Sequence, residues 1–458
     1  MSRALLSLLP LLLAAACNKG DDGYTGEDTA GNPPFTASLP NGGCGLPEYG
    51  WRSDEDLGEI VEWEELRDLN FTAEALNAAL MSFDMGAVAT ATYDVEVYRV
   101  RYVTQDKGQR VEATALLSFP VSDDDSVIIA PTMLWMHGTT GFTDECAPSA
   151  LGVEGALFNI VFSGHGFVVA APDYLGMNGF GAPAEALHPY IVAEPTAVAS
   201  LDAVRALYRF SAEEANRLTS QPSADLVMWG VSEGGFAALW ADRYGEAYLP
   251  GHRINGVVAA VPATDPTHLA KLGVTTWGDT SLAMAASLAT QNLWYGEPAP
   301  LSDALNDDAP GYPATSLLTE LGASCSPDVP EQVVSVETLF QPALVDALVN
   351  DTAFEPWSCY LSQGALVGSA IPRGSNAPVL IVTSELDDLA QAAPVHDDIA
   401  PLCAEGYNIE HIQCAGASHV SGAVDSLPYQ LEWLKARANG DEITGSCVAE
   451  APRDCLSL

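Results

Sequence analysis

The chain has 458 residues, of which 48% are hydrophobic, and a formal net charge of −43. It is long enough to bury a large core. The negative charge repels nucleic acid and anionic lipid surfaces, so it excludes nucleic acid as a partner and favours neutral or cationic ligands. The acidic residues are scattered without EF-hand spacing, so we expect a solvated acidic surface rather than a metal site.

Residues 1–16 have the organisation of a secretory signal. Arg3 supplies a positive charge, residues 4–13 form an apolar run too short for a permanent membrane span, and alanines precede Cys17. Two interpretations stay open: a lipoprotein signal cleaved before a lipidated Cys17, or an ordinary signal cut at the same bond. The segment resembles a bacterial lipoprotein signal, although Ala14 stands where Leu is usual. We favour the lipoprotein, an exported protein held at the outer membrane, cell surface or periplasm.

Residues 17–43 are rich in Gly, Asp, Thr, Asn and Pro and have almost no apolar periodicity. Such a segment cannot bury enough surface to offset its chain entropy. We therefore expect a disordered tether between the membrane anchor and the folded protein. In the lipoproteins that this region resembles, Asn directly after the Cys, here Asn18, is compatible with outer-membrane sorting.

The cysteines agree with export. Eight remain when Cys17 is set aside, and an even number in an exported chain predicts disulfides. Eight cysteines allow 105 pairings, so the connectivity is not readable. Close spacing makes Cys403–Cys414 and Cys447–Cys455 the simplest expected pairs. No Cys or His spacing is typical of a zinc site. The other four cysteines are Cys44, Cys146, Cys325 and Cys359.

Strand-like alternation begins at residues 93–103 and 111–119, which predict an antiparallel pair at a sheet edge. Short continuous apolar runs follow, which are typical of strands covered on both faces, and helical stretches separate most of them. Strands that alternate with helices predict an α/β fold with a mainly parallel, doubly wound sheet. The strand-like runs are 132–136, 166–171, 225–229, 256–261, 378–383 and 407–412; the helical stretches are 154–163, 196–210, 233–244, 394–404 and 422–437.

Residues 263–376 interrupt this alternation. The segment has no clear strand, is rich in Pro and aromatic residues, and is far longer than an ordinary connection. We expect a helical cap, or lid, over the active site; the alternative is an excursion that packs elsewhere. The core would then comprise residues 44–262 and 377–438, followed by a C-terminal Cys-containing tail at 439–458.

Gly-Val-Ser-Glu-Gly at 230–234 is the only Gly-x-Ser-x-Gly in the chain. It follows a predicted strand and opens an Ala-rich helix, which is the context of a nucleophile elbow. The turn is so tight that its flanking positions must be Gly, and it lifts the hydroxyl of Ser232 above the sheet. Free N–H groups at the helix start point at a developing oxyanion. The motif therefore predicts Ser232 as a catalytic nucleophile.

His-Gly-Thr-Thr-Gly at 137–141 follows another predicted strand. Where a nucleophile elbow is present, the loop after the third strand donates one oxyanion N–H and the residue after the nucleophile donates the other. The candidates are Thr139 or Thr140, together with Glu233. We expect His137 to orient this loop without transferring a proton, because it precedes the nucleophile in the chain.

The remaining members of such a triad follow in the order acid, then His. Three carboxylates lie on the turn after the predicted strand at 378–383. Asp387 is the first choice, Asp388 the second, and Glu385 the third. The choice among them stays open.

His419 lies on a loop of small residues after the predicted strand at 407–412. We expect it to take the proton from Ser232 and return it to a leaving alcohol, held in one tautomer by Asp387. His411 is the competing candidate for the catalytic histidine. It lies within the alternating pattern of the predicted strand, so we expect its side chain to pack or to face solvent. The other histidines are expected to be structural or on the surface: His165, His188, His252, His268 and His396.

Together these motifs resemble the secretory lipase family of the lipase-A type and its bacterial relatives. The resemblance runs from roughly residue 86 to 437 and implies an α/β-hydrolase core, a helical cap that shapes an acyl-binding pocket, no cofactor, and hydrolysis of carboxylic esters. It carries over Ser232, Asp387 and His419 as the triad. Further matching stretches are Ala-Pro-Asp-Tyr-Leu-Gly at 171–176, His-Pro-Tyr at 188–190 and Ser-Leu-Asp-Ala-Val-Arg at 200–205.

Some positions depart from that family pattern. Val231 and Glu233 stand where relatives often have an aromatic or His and a Gln or Gly, and Ser384 stands where Gly is usual. A carboxylate at 233 suits a helix start. Beside an oxyanion hole, however, it would slow the reaction or narrow the range of substrates. Asp173 and Tyr174 fit the pattern, and we expect them to hold the loop near the elbow.

The leading hypothesis is a serine esterase or lipase that acts on small-molecule or lipid esters through an acyl-enzyme. Two alternatives stay open. The same triad cuts amides, so the chain is alternatively a peptidase or arylamidase. It is otherwise a surface-tethered binding protein that keeps the fold and has lost catalysis.

Overall fold

The computed structural model describes residues 41–53, 55–82, 88–122, 126–214, 217–308, 313–326, 331 and 333–458. The predicted signal at 1–16, Cys17 and residues 17–40 of the predicted tether lie outside these ranges. The last three residues of that tether form a strand instead, β1 (Asn41–Gly43), which pairs with β2 (Leu46–Tyr49). Among the described residues, no helix is long and apolar enough to cross a membrane.

The central sheet contains nine strands within the described residues. They are β3 (Ile60–Glu65), β4 (Asp94–Asp106), β5 (Gln109–Val121), β6 (Ile128–Met136), β7 (Val168–Pro172), β8 (Ser220–Val231), β9 (Arg253–Ala260), β10 (Pro378–Ser384) and β11 (Asn408–Cys414). Their order across the sheet is β11-β10-β9-β8-β6-β7-β5-β4-β3. The six strands from β11 to β7 are parallel, and β5, β4 and β3 are antiparallel additions. The predicted α/β fold is confirmed.

The strand pair β4–β5 has the antiparallel pairing expected from its alternating residues, with Asp106 opposite Gln109 at the turn. It does not form the edge of the sheet, because β3 pairs with the outer side of β4. The sequence pattern did not predict β3, whose six residues Ile-Val-Glu-Trp-Glu-Glu include three carboxylates and bury only Ile60 and Trp63.

Helices cover both faces of the sheet, as expected for a doubly wound fold. One face packs against α3 (Ala193–Glu213), α4 (Glu233–Tyr248) and α11 (Ala392–Ala404), and the other against α1 (Ala73–Ser82), α2 (Val153–Gly164), α12 (His419–Asp425) and α13 (Leu427–Ala438). The single helix predicted at 422–437 is thus two helices, since Ser426 ends α12 and Pro428 lies in the first turn of α13.

The described part of the segment between β9 and β10 contains six α-helices. They are α5 (Pro266–Gly273), α6 (Asp279–Trp294), α7 (Ala314–Leu321), α8 (Val336–Leu339), α9 (Pro342–Val349) and α10 (Trp357–Gln363). Two disulfides connect this segment to the rest of the chain. Cys44–Cys359 joins the turn after β1 to α10, and Cys146–Cys325 joins the loop after β6 to residues just beyond α7.

The expected pairs Cys403–Cys414 and Cys447–Cys455 are wrong. The structure instead links Cys403 to Cys447 and Cys414 to Cys455, with Cα–Cα distances of 6.1 and 5.2 Å. Strand β11 lies between Cys403 and Cys414, and its seven residues separate its ends by roughly 20 Å. Because a disulfide needs Cα atoms within about 7 Å, each of these cysteines bonds to the tail that runs alongside the strand.

Candidate active site

Ser232 lies at the tip of a sharp turn between β8 and α4. Its backbone has φ +58° and ψ −118°, a conformation that a non-glycine residue adopts only under constraint. The turn is held by a 2.8 Å hydrogen bond from the Ser232 N–H to the Ala260 carbonyl. A Cβ atom at Gly230 would lie 1.9 Å from the Gly234 carbonyl oxygen, and one at Gly234 would lie 1.9 Å from that of Met136. The close packing explains the two glycines of the motif.

The hydroxyl of Ser232 is hydrogen-bonded to His419. The distance from Ser232 Oγ to His419 Nε2 is 2.8 Å. On the other side of the ring, His419 Nδ1 lies 2.8 Å from Asp387 Oδ2 and 3.0 Å from Asp387 Oδ1. A carboxylate only accepts, so Nδ1 carries the proton, and Nε2 is free to accept from the serine hydroxyl. The structure thus brings together the three residues that the sequence pattern predicted for this site.

Asp387 is buried and held in place by the loop that carries it. Its Oδ1 accepts the N–H groups of Leu389 and Ala390 at 3.0 and 2.8 Å. The other two acid candidates are exposed: Glu385 accepts the N–H of Gly416 at 2.8 Å, and Asp388 contributes its backbone carbonyl to a hydrogen bond from Thr280. Only the Asp387 carboxylate of these three is hydrogen-bonded to His419.

His411, the rival histidine, is placed elsewhere. Its Nε2 lies 3.0 Å from Thr383 Oγ1, and its Nδ1 accepts the N–H of Glu450 at 2.9 Å. Burial lowers the pKa of His411 to about 3. These contacts join the sheet to the C-terminal tail. His411 therefore has a structural role, as expected from its position within the strand.

The loop after β6 packs against the elbow. A Cβ at Gly138 would lie 3.5 Å from Ser232 Cβ. Thr139 Oγ1 lies 3.2 Å from the Tyr190 hydroxyl, and Thr140 Oγ1 is buried without a hydrogen-bond partner among the described residues. The loop therefore borders Ser232.

His137 has the contacts of a residue that orients this loop. Its Nδ1 lies 2.6 Å from the Gly138 carbonyl, and its ring stacks on Tyr174 with ring centres 4.2 Å apart. Tyr174 in turn donates its hydroxyl to the His137 carbonyl at 2.8 Å. Burial lowers the pKa of His137 and favours its neutral form.

Asp173 joins the segment after the β6 loop to strand β5. Its carboxylate accepts the N–H of Ser149 at 2.8 Å and the hydroxyl of Thr114 at 2.6 Å. Burial raises its pKa to about 6 although these hydrogen bonds oppose the shift. Asp173 and Tyr174 thus hold the loops near the elbow, as expected.

Sequence reasoning missed the partner of Glu233. The Glu233 side chain is buried, and its Oε1 lies 2.5 Å from Nε2 of His188. His188 had been expected to be structural or on the surface. The one available signal was that His188 begins a His-Pro-Tyr stretch of the family pattern, but nothing in the sequence joins it to a residue 45 positions away.

A cavity opens beside Ser232 and is lined mostly by apolar groups; its empty volume, which includes space open to solvent, is about 550 Å³. The lining comes from α5, α6, α10 and the loop after Asp387; it includes Ala270, Ala283, Met284, Leu361 and Leu389. Helix α6 is attached to the core near both of its own ends, because Thr280 Oγ1 donates to the Leu389 carbonyl at 2.9 Å and Thr290 Oγ1 accepts the Tyr190 N–H at 3.2 Å. Within the described residues, no cluster of His, Cys, Asp and Glu is arranged to hold a metal ion.

Comparison with known protein families gives a match to the secretory lipase family over residues 153–446, well over half of the chain. The chain belongs to the secretory lipase family. The four disulfides, all between described cysteines, agree with the export that the family name implies.

The relatives that match the chain carry lipase names. The chain is 27% identical over 282 residues to a probable inactive lipase of Mycobacterium tuberculosis, a match that covers 61% of this chain and 57% of that protein. It is 23% identical over 385 residues to a secreted triacylglycerol lipase of Malassezia globosa, covering 77% of this chain and 72% of the relative. The match to the mycobacterial protein thus spans little more than half of that relative's length.

The solved structure of the rice cell wall degrading esterase LipA from Xanthomonas oryzae superimposes on the chain with a TM-score of 0.66 at 19% identity. The match covers 84% of this chain and 97% of that one. The superposition shows that the present chain has the α/β-hydrolase fold.

Proposed function

We propose that the protein hydrolyses neutral carboxylic esters through an acyl-enzyme, with Ser232 as nucleophile. The observation that carries the proposal is the unbroken hydrogen-bond chain from Ser232 Oγ through His419 to Asp387, with distances of 2.8 Å on both sides of the imidazole. Asp387 orients the ring and stabilises the imidazolium that forms when His419 takes the serine proton. His419 then returns this proton to the leaving alcohol.

The tetrahedral intermediate places a negative oxygen between the elbow and the loop after β6. We assign its stabilisation to backbone N–H groups of Glu233 and of Thr139 or Thr140, because helix α4 begins at Glu233 and the Gly138 backbone approaches Ser232 closely. Water attacks the acyl-enzyme in the second half of the reaction, with His419 as general base.

The cavity beside Ser232 supports an apolar acyl group as substrate. Its lining by small and aliphatic side chains favours burial of hydrocarbon and disfavours charged groups. The net charge of −43 further disfavours anionic esters. The substrate class we propose is therefore a neutral ester, either a small molecule or a lipid.

The test is a panel of nitrophenyl esters of increasing acyl length, set beside amino-acid arylamides, with active-site labelling by a fluorophosphonate. We expect ester turnover to exceed arylamide turnover and the probe to modify Ser232, identified by peptide mass spectrometry. Arylamide release without ester turnover would favour the peptidase. Absence of both turnover and labelling would favour a binding protein without catalysis. One relative of the chain is itself described as a probable inactive lipase.

We also propose that Cys17 is lipidated and that this lipid anchors the exported protein to a membrane. The location we propose is the outer membrane, the cell surface or the periplasm. The support is the apolar run at 4–13 followed by alanines and Cys17. When the full chain is expressed in bacteria with an alkyne fatty acid, we expect label on the wild type and none on Cys17→Ser. Equal labelling of both chains, or none on either, would contradict the proposal.

A further inference from the structure

The buried pair Glu233–His188 lies directly beside the nucleophile. Glu233 follows Ser232 in the chain, and Ser232 and Glu233 line the same cavity. The exposed fraction is 2% for Glu233 and 0% for His188. The two side chains meet at 2.5 Å between Glu233 Oε1 and His188 Nε2. A carboxylate in such a dry environment needs a partner, because burial of an isolated charge is costly.

The proton content of this pair follows from its hydrogen bonds. His188 Nδ1 lies 2.8 Å from the Leu175 carbonyl, which only accepts, so Nδ1 carries a proton. The short contact at Nε2 also requires one proton, located on the ring or on the carboxyl. In the first case an imidazolium meets a carboxylate, and in the second a neutral ring meets a neutral acid. In both cases the pair has a net charge of zero.

Other ionisable groups around Glu233 do not supply a positive charge. His137 is buried, and burial lowers its pKa, so it is neutral near pH 7. Burial together with the negative charge of Glu233 raises the pKa of both Tyr174 and Tyr190, so these phenols are neutral as well. His188 is therefore the residue that compensates the Glu233 carboxylate.

We propose that His188 is a positioning residue whose proton keeps the net charge beside the oxyanion hole at zero throughout the reaction. The inference rests on the proposed ester hydrolysis. In the tetrahedral intermediate, negative charge develops next to the Glu233 N–H, and an uncompensated carboxylate on the same residue would repel it. At separations of several ångströms and an effective dielectric constant near 20, that repulsion slows the reaction by a factor on the order of 10 to 100. The pair explains how this elbow carries Glu where relatives often have Gln or Gly.

The experiment compares His188→Gln, Glu233→Gln and the double variant by kcat and KM from about pH 5 to 9 with one nitrophenyl ester. His188→Gln leaves the carboxylate without its compensating proton, so its kcat falls about 10- to 100-fold. KM changes little, since the oxyanion exists only in the transition state and intermediate.

The double variant replaces the pair by two neutral amides that still hydrogen-bond, so we expect it to recover at least about tenfold of the lost kcat. Glu233→Gln alone removes the charge and keeps an amide for His188, so we expect it to lose less kcat than His188→Gln. His165→Gln is the matched control, because His165 is also buried between two carbonyl groups, those of Val161 and Ala89. We expect its kcat and its pH profile to match the wild type.

A double variant no faster than His188→Gln would overturn the inference, as would a loss in His188→Gln that appears in KM rather than in kcat. Thermal unfolding of each variant identifies any that fail to fold, and His188→Asn then replaces His188→Gln in the cycle. A wild type without ester turnover or probe labelling would instead refute the proposed function itself, and this inference with it.

Discussion

Replacement of Ser232 by Ala is expected to lower kcat for ester hydrolysis by at least about 10⁴-fold. The hydroxyl is the group that the elbow presents to the cavity and that His419 contacts at 2.8 Å. Without it no acyl-enzyme forms, and only the binding and oxyanion contributions remain. The measurement is the initial rate of nitrophenyl ester hydrolysis together with fluorophosphonate labelling.

Ser82→Ala serves as the control, because this exposed serine at the end of α1 makes only a local hydrogen bond among the described residues, to the Ala79 carbonyl. We expect its rate to equal the wild-type rate. A Ser232→Ala protein that keeps more than about 1% of the wild-type turnover would rule out Ser232 as the nucleophile.

Replacement of Asp387 by Asn is expected to lower kcat by about 10⁴-fold, with much less effect on KM. The Asn side chain presents an N–H group toward the ring, so His419 adopts the tautomer with its proton on Nε2 and cannot accept the serine proton. The carboxylate otherwise contacts Nδ1 with both oxygens, at 2.8 and 3.0 Å. The same nitrophenyl ester rates measure the effect.

Asp388→Asn and Glu385→Gln are the matched controls, since both carboxylates lie on the same turn and are exposed. Each is expected to change kcat less than about threefold, within the range of surface substitutions. A loss near 10⁴-fold in Asp388→Asn, with Asp387→Asn close to wild type, would transfer the role to Asp388.

Much of the fold could be predicted because buried parallel strands have a clear sequence pattern. The run at 226–229 is continuous and apolar since β8 lies in the middle of the sheet, between β6 and β9. The strand β3 was not predicted because it is an edge strand with three charged residues. Helix α1 also has no strong pattern, because only Leu76 and Leu80 are buried.

The candidate site was predictable to the extent that its residues follow elements in a fixed order. Ser232 follows β8, Asp387 follows β10 and His419 follows β11, and the ends of neighbouring parallel strands meet at one edge of the sheet. The pair Glu233–His188 was not predictable, since His188 lies on an irregular connection between β7 and α3. Disulfide pairing likewise depends on where the tail lies against β11, which spacing in the chain does not reveal.

The tail beyond α13 protects the open side of the sheet. Strand β11 is an outermost strand, and an unpaired strand edge is a template for association with other chains. Here the Cys447 N–H donates to the Ile409 carbonyl at 3.0 Å, and the Arg453 N–H donates to the Gln413 carbonyl at 2.9 Å. The disulfides at Cys403 and Cys414 fasten the tail over both ends of this edge. Outside the reducing cytosol, the same bonds that join the tail to the domain thus guard it against edge-to-edge aggregation.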